Sequence, residues 1–131
     1  QSGSTHIAYC FAEKTGYSKF GSYTGNGNGD GSFIYTGFKP AYLIIRRTDT
    51  TNNWHIHDNK RDPINQVKKY LLADTSGADT SDTNKGIDFV SNGFKLRTTH
   101  GSHNASGGTY IYMAFAEAPL VGSNNIPCVA R

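Results

Sequence analysis

Residues 106–117 read Ser-Gly-Gly-Thr-Tyr-Ile-Tyr-Met-Ala-Phe-Ala-Glu, and residues 2–13 read Ser-Gly-Ser-Thr-His-Ile-Ala-Tyr-Cys-Phe-Ala-Glu. The two strings lie 104 residues apart and are identical at 7 of 12 positions. In both, the side chains alternate between two faces, which is the period of a β-strand. The repeat therefore predicts one strand near each end of the chain, in an all-β fold.

The repeat is most simply explained by a tandem array of β modules. In that interpretation, residues 1–14 hold the closing strand of a preceding repeat and residues 119–131 form an irregular tail. A pseudo-symmetric pair of strands within one sandwich is the alternative. Alternation predicts that Tyr9 lies in a core. It also predicts that Tyr110 and Tyr112 contact another sheet or a neighbouring chain.

Short strands separated by turns also follow from the segments between the two repeats. Residues 41–48 are apolar on both faces for five residues and predict a central strand, with residues 54–58 as its partner. Residues 87–90 and 94–97 predict a hairpin in which Asn92-Gly93 supplies the positive φ of a tight turn. This spacing of strands predicts a single domain over residues 1–131, folded as a β-sandwich or jelly roll.

Composition agrees with a folded, turn-rich β protein, since the 131 residues include 15 Gly, 8 Tyr and 7 Phe. The net charge of +3 is mild, and its Lys and Arg residues are scattered in pairs, so we expect no nucleic-acid partner. No apolar run approaches the ~18 residues of a membrane span, so we expect no membrane insertion. The two cysteines, Cys10 and Cys128, are expected to be free thiols, as in a reducing cytoplasm.

Strings over nearly the whole chain resemble a domain found in virion proteins of tailed phages, marine ones especially. They are residues 7–27, 35–41, 53–54, 58–63, 91–94 and 108–116. The resemblance implies a lectin-like sandwich, sometimes repeated in tandem, in a fibre or appendage protein of the virion that is assembled in the host cytoplasm. It supplies no catalytic residues. The chain departs from it at His55 and His57, where we expect an aromatic or aliphatic residue in place of each histidine.

Two parts of the sequence are candidate metal sites. His55 and His57 point to the same side of a strand, which is one way to begin a zinc or iron site. However, no Cys or acidic residue stands at ligand spacing and histidines are common on the surfaces of strands, so a paired surface or interface position is the preferred interpretation. Asp30, in the Gly- and Asn-rich residues 25–33, is a candidate calcium ligand, against the default of a flexible hairpin. We therefore predict no cofactor.

Catalysis is not expected. The two glutamates, Glu13 and Glu117, end the two repeated strings, and equivalent positions in a repeat favour a structural role. The chain has no Gly-x-Ser-x-Gly elbow for a serine nucleophile. The sequence therefore predicts a protein that is not an enzyme.

Trp54 has two interpretations, a sugar-stacking platform or, preferred, a core tryptophan of the sandwich. The candidate ligand-binding residues lie where polar, turn-forming residues gather: Asn26, Asn28, Asp30, Trp54, His100 and His103. We expect a non-enzymatic phage virion module, part of a tail fibre or appendage, that recognises a host-surface glycan or protein or serves as a spacer. It would be a homo-oligomer, most simply a trimer. The alternatives are a stand-alone carbohydrate-binding module and a capsid or tail decoration protein.

Overall fold

The computed structural model describes residues 3–117, and nearly all of its regular structure is β-strand. A 3-10 turn spans Thr83–Lys85 and a short helix, α1, spans Gly101–Asn104. The strands are β1 (Ser18–Thr24), β2 (Phe33–Tyr35), β3 (Pro40–Arg47), β4 (His55–Asp58), β5 (Lys69–Leu72), β6 (Thr80–Ser81), β7 (Ile87–Val90), β8 (Gly93–Leu96) and β9 (Thr109–Ala116). The all-β sandwich predicted from the sequence is confirmed.

The strands form two antiparallel sheets. The larger sheet has six strands in the order β1-β9-β3-β4-β5-β6, and the smaller has three in the order β2-β8-β7. The last of the described strands, β9, therefore lies between β1 and β3 and pairs antiparallel with both. Strands that are far apart in the sequence are thus neighbours at the centre of the larger sheet.

The core lies between the two sheets. Leu43 and Ile45 of β3 and Ala114 of β9 are fully buried, and they face Phe94 and Leu96 of β8. Burying a leucine, isoleucine or phenylalanine side chain contributes about 1.5–3 kcal/mol to the stability of the fold. The core is completed by Ile34, Phe38, Val67, Ile87, Phe89, Tyr110 and Tyr112.

Tyr112 of β9 meets Phe94 of the smaller sheet edge to face, with ring centroids 5.3 Å apart. Tyr110 is fully buried and stacks on Tyr23 at 4.8 Å. The predicted contact with another sheet is confirmed for Tyr112, whereas the stacking partner of Tyr110 lies on β1 of the same sheet.

The larger sheet also carries an apolar row on the face directed away from the core. This surface is named the outer face. Strand alternation places Ile44 there, between the core residues Leu43 and Ile45. Ladder pairing aligns it with neighbours on four other strands: Phe20, Met113, Ile56 and Leu71. All five side chains are half-buried. The predicted central strand is confirmed, and its two apolar faces are the core and the outer face.

The predicted hairpin is confirmed as β7 and β8, but the role expected for its glycine is wrong. Val90 pairs with Gly93, so the turn residues are Ser91 and Asn92. Gly93 is not at positive φ. A Cβ there would lie 2.1 Å from the carbonyl oxygen of Ile34, a distance that no side chain can occupy. Glycine is therefore required by the close approach of β2 and not by the turn.

The first predicted strand is wrong. Residues 5–13, named the opening segment, form no strand. Ile7 and Tyr9 are each 81% exposed and Phe11 is 60% exposed, so Tyr9 does not lie in the core. The segment has strand alternation but no neighbouring strand within the described chain, and a strand without hydrogen-bonded partners is not stable in water. Its free cysteine, Cys10, is exposed.

The predicted irregular tail, residues 119–131, and Cys128 lie outside the described residues. Within residues 3–117, no helix has both the length and the apolar character needed to cross a membrane.

Candidate functional site

A cluster of buried histidines lies at one end of the core. Strand β4 directs His55 and His57 towards the smaller sheet, and helix α1 brings His103 against them. His57 and His103 are fully buried and His55 is 3% exposed. The Nε2 atoms of His57 and His103 are 2.9 Å apart, and the ring of His55 is 4.7 Å from that of His103. The predicted surface or interface position of His55 and His57 is wrong, because β4 is an interior strand whose inner face belongs to the core.

Hydrogen bonds continue from this cluster to the surface. Nδ1 of His103 lies 2.7 Å from Oγ of Ser102, which lies 2.7 Å from Nδ1 of His100. The same His100 nitrogen accepts the backbone N–H of Ser102 and so caps helix α1. At the other end, Nδ1 of His57 has no hydrogen-bond partner among the described residues. This series of hydrogen bonds thus connects the exposed His100 with the buried His57.

Burial keeps these histidines neutral. Desolvation, followed by the proximity of His55, lowers the pKa of His57 to about 3. Desolvation, followed by Lys85, lowers the pKa of His55 to about 4. Loss of water also holds the pKa of His103 well below its ordinary value. At neutral pH the cluster is therefore an uncharged group of imidazoles, and a proton added to it would be strongly disfavoured.

The geometry does not assemble the machinery of a metal site or a catalytic triad in this cluster. Within residues 3–117, no group of three or more His, Cys, Asp or Glu side chains is arranged to hold a metal ion. Ser102 and His103 are in contact, but Ser102 is only 5% exposed and its other neighbour is His100 in place of a carboxylate. We interpret the cluster as a hydrogen-bonded part of the core.

The Gly- and Asn-rich loop is held in place by one residue that the sequence did not reveal, Asn104. Its Oδ1 accepts the N–H of Asn26 at 2.9 Å, and its Nδ2 lies 2.8 Å from the carbonyl oxygen of Asn28. Within the loop, Asn28 N–H donates to Asn26 Oδ1, and Asp30 N–H donates to Asn28 Oδ1, both at 2.9 Å. The loop is a series of side-chain-capped turns and differs from the flexible hairpin that we expected.

Asp30 is neutralised within the protein. Its carboxylate lies 2.9 Å from Nζ of Lys95 and 3.2 Å from Nη1 of Arg97. The hydrogen bond from Lys95 lowers the pKa of Asp30, with a further contribution from the charge of Arg97. Because two cations already pair with this carboxylate, it is poorly suited to bind calcium, which needs several unpaired oxygen ligands.

Trp54 lies on the side of the outer face and not in the core. Its ring is half-buried beneath the guanidinium of Arg46, whose Cζ is 5.0 Å from the ring centroid. The backbone N–H of Trp54 donates to Oδ1 of Asp74 at 3.2 Å. The preferred core interpretation is therefore wrong, because His55 takes the inward position and alternation directs Trp54 outward.

A cleft of about 520 Å³ opens at the opposite end of the outer face. Tyr42 lies at its base, and its ring leans on Phe115 with centroids 6.1 Å apart. One wall is the turn after β4, where Oδ1 of Asp58 accepts the N–H groups of Lys60 at 3.0 Å and Arg61 at 2.8 Å. The cleft combines an aromatic ring with a turn whose backbone is fixed by hydrogen bonds.

The charges around the cleft cancel in pairs. Arg61 lies 2.6 Å from Oδ2 of Asp58, and Lys60 pairs with Glu117. Oε2 of Glu117 also accepts a hydrogen bond from Asn59 at 3.2 Å. An apolar base with a few convergent polar groups is the usual construction of a small-molecule site. This cleft was not found from the sequence, because its two walls are 57 residues apart in the chain.

The predicted ligand residues do not form one site. Asn26, Asn28 and Asp30 share a loop that Asn104 fixes, whereas Trp54 lies on the outer-face side of the larger sheet. His100 is exposed at the start of α1, and His103 is buried in the histidine cluster. As ligand contacts, these residues remain predictions.

No curated protein and no solved structure matches the chain. One family model, described as a domain of unknown function (DUF7483), matches residues 1–119. That match includes both copies of the repeated string and the nine strands described within residues 3–117. The chain therefore belongs to the DUF7483 family of domains of unknown function.

Proposed function

We propose that the chain is a non-enzymatic structural module of a tailed-phage virion, part of a tail fibre or related appendage, that assembles with copies of itself. Two things support this proposal. One is the sequence resemblance to virion domains. The other is the apolar surface that remains on the molecule after its own core is complete.

The outer face carries the proposal. Its five-residue row crosses five neighbouring strands, from Phe20 on β1 to Leu71 on β5, and lies on a sheet whose other face already packs against the core. Ile111, on the same face of β9, is 39% exposed. Contiguous apolar surface of this kind marks sites of protein association in soluble proteins. We infer that the outer faces of three copies pack against one another around a common axis.

The homo-oligomer is tested by light scattering coupled to size-exclusion chromatography. The wild-type chain is expected to elute as an oligomer, most simply a trimer. Met113→Lys places a charge at the middle of the outer face, and we expect it to give a monomer that still shows cooperative thermal unfolding.

The matched control is Tyr35→Lys, since Tyr35 is 65% exposed on the smaller sheet and takes no part in the proposed interface. We expect Tyr35→Lys to leave the oligomer intact. A wild-type chain that stays monomeric at high micromolar concentration would contradict the proposal, as would an oligomer that Met113→Lys does not weaken.

A second candidate function, glycan binding, is favoured by the Tyr42 cleft. Its aromatic ring offers a surface to sugar C–H groups, while the paired carboxylates, the guanidinium and the Asn59 amide offer hydrogen bonds to hydroxyls. Because its formal charges cancel, we expect a neutral saccharide as the ligand. The host-surface glycan expected from the sequence would then bind at this cleft and not at the loop tips.

Glycan binding is tested by NMR titration of the whole chain with methyl glycosides of glucose, galactose, mannose and N-acetylglucosamine. We expect the amides of Lys60, Arg61 and Glu117 to shift, and Tyr42→Ala to weaken binding at least about tenfold. Tyr35→Ala serves as the control. Shifts that map to Asn26 and Asn28 would instead locate binding at the loop, and the absence of shifts with every sugar would exclude this function.

The remaining alternatives predict different results from the same experiments. A stand-alone carbohydrate-binding module would be a monomer that binds sugar. A decoration protein would be found on the virion shell in a fixed ratio to the capsid subunit.

A further inference from the structure

We propose that the opening segment, residues 5–13, is the closing strand of another unit of the same fold. There it would lie between that unit's first and third strands, the position that β9 occupies here. The inference rests on the proposed modular function and names the partner that such a module requires.

The two copies of the repeated string have nearly the same sequence but opposite environments. β9 is hydrogen-bonded to β1 along one side and to β3 along the other. The opening segment has none of these ladders, and its three bulky side chains, Ile7, Tyr9 and Phe11, are mostly exposed. A segment with the pattern of a central strand and no strands beside it needs two partner strands. This unit cannot supply them in the same way, because its own β9 already fills the position.

The exposed row of the opening segment corresponds to the outer face. Ile7, Tyr9 and Phe11 align with Ile111, Met113 and Phe115 of β9. In β9 these three positions alternate with the buried residues and lie on the outer face. In the partner unit, the same row would therefore extend the apolar surface through which we propose that copies associate.

The inward side of the opening segment identifies the partner further. His6, Ala8 and Cys10 align with Tyr110, Tyr112 and Ala114, whose side chains fill the core of this unit. Two large tyrosines are thus replaced by a histidine and an alanine. A unit closed by the opening segment has to fill that space from its other strands. The natural partner is therefore a related unit with a different core and not an identical copy.

The end of the opening segment is already fixed to β1. Lys14 and Ser18 exchange backbone hydrogen bonds at 3.2 and 2.9 Å, and Ser18 Oγ donates to the carbonyl of Ala12 at 2.9 Å. The carboxylate of Glu13 accepts from Lys19 Nζ at 3.0 Å and from the N–H of Phe20 at 3.1 Å. The closing strand of one unit would thus pass through a tight turn into β1 of the next, with no flexible linker.

The same hydrogen bonds argue against a simpler partner, the free edge of β1 in the same chain. If the turn at Lys14 and Ser18 continued as a hairpin, Ala12 would pair with Phe20. However, the Phe20 N–H donates to the Glu13 carboxylate, and the Ala12 carbonyl accepts from Ser18 Oγ. The hairpin therefore stops after one bridge.

The test is a two-unit chain made of residues 2–105 followed by residues 2–131. In this chain, the opening segment of the second unit follows residue 105 of the first unit and takes the place of residues 106–117. We expect the amides of that segment to exchange with solvent at least about 100-fold more slowly than in the single chain. A second version carries His6→Tyr and Ala8→Tyr in the joining segment, because those tyrosines refill the core of the first unit.

Tyr9→Pro provides the decisive comparison. In the single chain Tyr9 is exposed and unpaired, so the proline is expected to leave the melting temperature unchanged. In the joining segment of the two-unit chain it is expected to remove the folded signal of the first unit, because proline cannot donate to the ladder.

The proposal is overturned if the joining segment remains unprotected in both versions of the two-unit chain. It is also overturned if Tyr9→Pro destabilises the single chain as much as the double one. Neither result depends on the outer-face interface, since the oligomeric state and the Met113→Lys variant are measured on the single chain.

Discussion

The opening segment and β9 share seven of twelve residues in the aligned strings, yet one is exposed coil and the other is the central strand of the larger sheet. Local alternation is the same in both. They differ in their neighbours, since β9 has a strand on each side and a second sheet beneath it. The comparison shows that a strand-like sequence makes a strand only where partners complete its hydrogen bonds and cover one of its faces.

The largest expected contrast comes from proline at equivalent positions of the two copies. Ala114 is fully buried and pairs with Lys19 and Leu43, so Ala114→Pro removes a ladder hydrogen bond from a central strand and should abolish folding. Cys10→Pro changes an exposed, unpaired residue, and its melting temperature should stay within about 1 °C of the wild type. Circular dichroism melts measure both. A large loss of stability in Cys10→Pro would show that the opening segment is part of the folded unit.

Truncation of a tyrosine in each copy should give the next largest contrast. Tyr112 is 6% exposed and packs on Phe94, so Tyr112→Ala should cost about 3–5 kcal/mol of unfolding free energy through lost burial and a cavity. Tyr9→Ala should change it by less than about 0.5 kcal/mol. Urea denaturation of the two variants provides the measurement. Equal losses would mean that the two tyrosines are similarly packed in solution.

The exposed and buried regions should also differ in how their histidines affect the pH dependence of stability. His6 lies in the exposed opening segment, whereas His55 and His57 are buried. The buried pair has native pKa values of about 4 and about 3, below the ~6.5 of an unfolded histidine. Below pH ~6.5 the unfolded chain therefore binds protons that the native core rejects, and stability falls as the pH falls towards 3. At pH 5 each of the two should lower the unfolding free energy by about 2 kcal/mol relative to pH 7.5.

Urea denaturation at pH 7.5 and 5 measures this loss. His57→Leu combined with His103→Leu removes both partners of the buried hydrogen bond together and should reduce the loss. His6→Leu should leave it unchanged. Carboxylates are not expected to contribute over this range, because pairing lowers the pKa of Asp30, Glu13 and Glu117 from values that are already acidic. A stability independent of pH between 7.5 and 5 would contradict the buried, neutral cluster.

The smallest effects should come from the glutamates that end the two copies. Glu13 pairs with Lys19 and Glu117 with Lys60, and all four side chains are at least 40% exposed. Exposed ion pairs contribute little, because water and salt screen them. Glu13→Gln and Glu117→Gln should each lower the melting temperature by less than about 2 °C, and 0.5 M salt should remove the difference from the wild type. A large effect of Glu13→Gln would show that the joint to β1 is a main determinant of stability.

Much of the fold could be predicted because its signals are local. The apolar run at β3 indicated a strand covered on both faces, and the turn signal between β7 and β8 indicated a hairpin. Residues 5–13 had the same local signal as β9, and only the absence of neighbouring strands within the described chain distinguishes them. The close approach of Gly93 to Ile34 was hidden because it depends on a strand more than 50 residues away.

The sites were less predictable because they are assembled from distant segments. His57 and His103 are 46 residues apart in the chain and meet only when α1 packs beside β4. Asn104 resembles every other asparagine of a polar loop until its amide is seen to bind two loop residues. The sequence did carry one usable signal for the histidine cluster. His55 and His57 stand where an aromatic or aliphatic residue was expected, which indicates a buried position.

The place of β9 in the larger sheet has a consequence for biosynthesis. β1 and β3 leave the ribosome well before β9 but are joined to each other only through it. The sheet therefore stays in two parts until nearly the whole unit has been translated. Until then, the strands already synthesised have unpaired edges and exposed apolar side chains, as in other β proteins dominated by non-local pairing. In a long polypeptide built from such units, each one would become native only when its final dozen residues emerge, so maturation would follow translation one unit at a time.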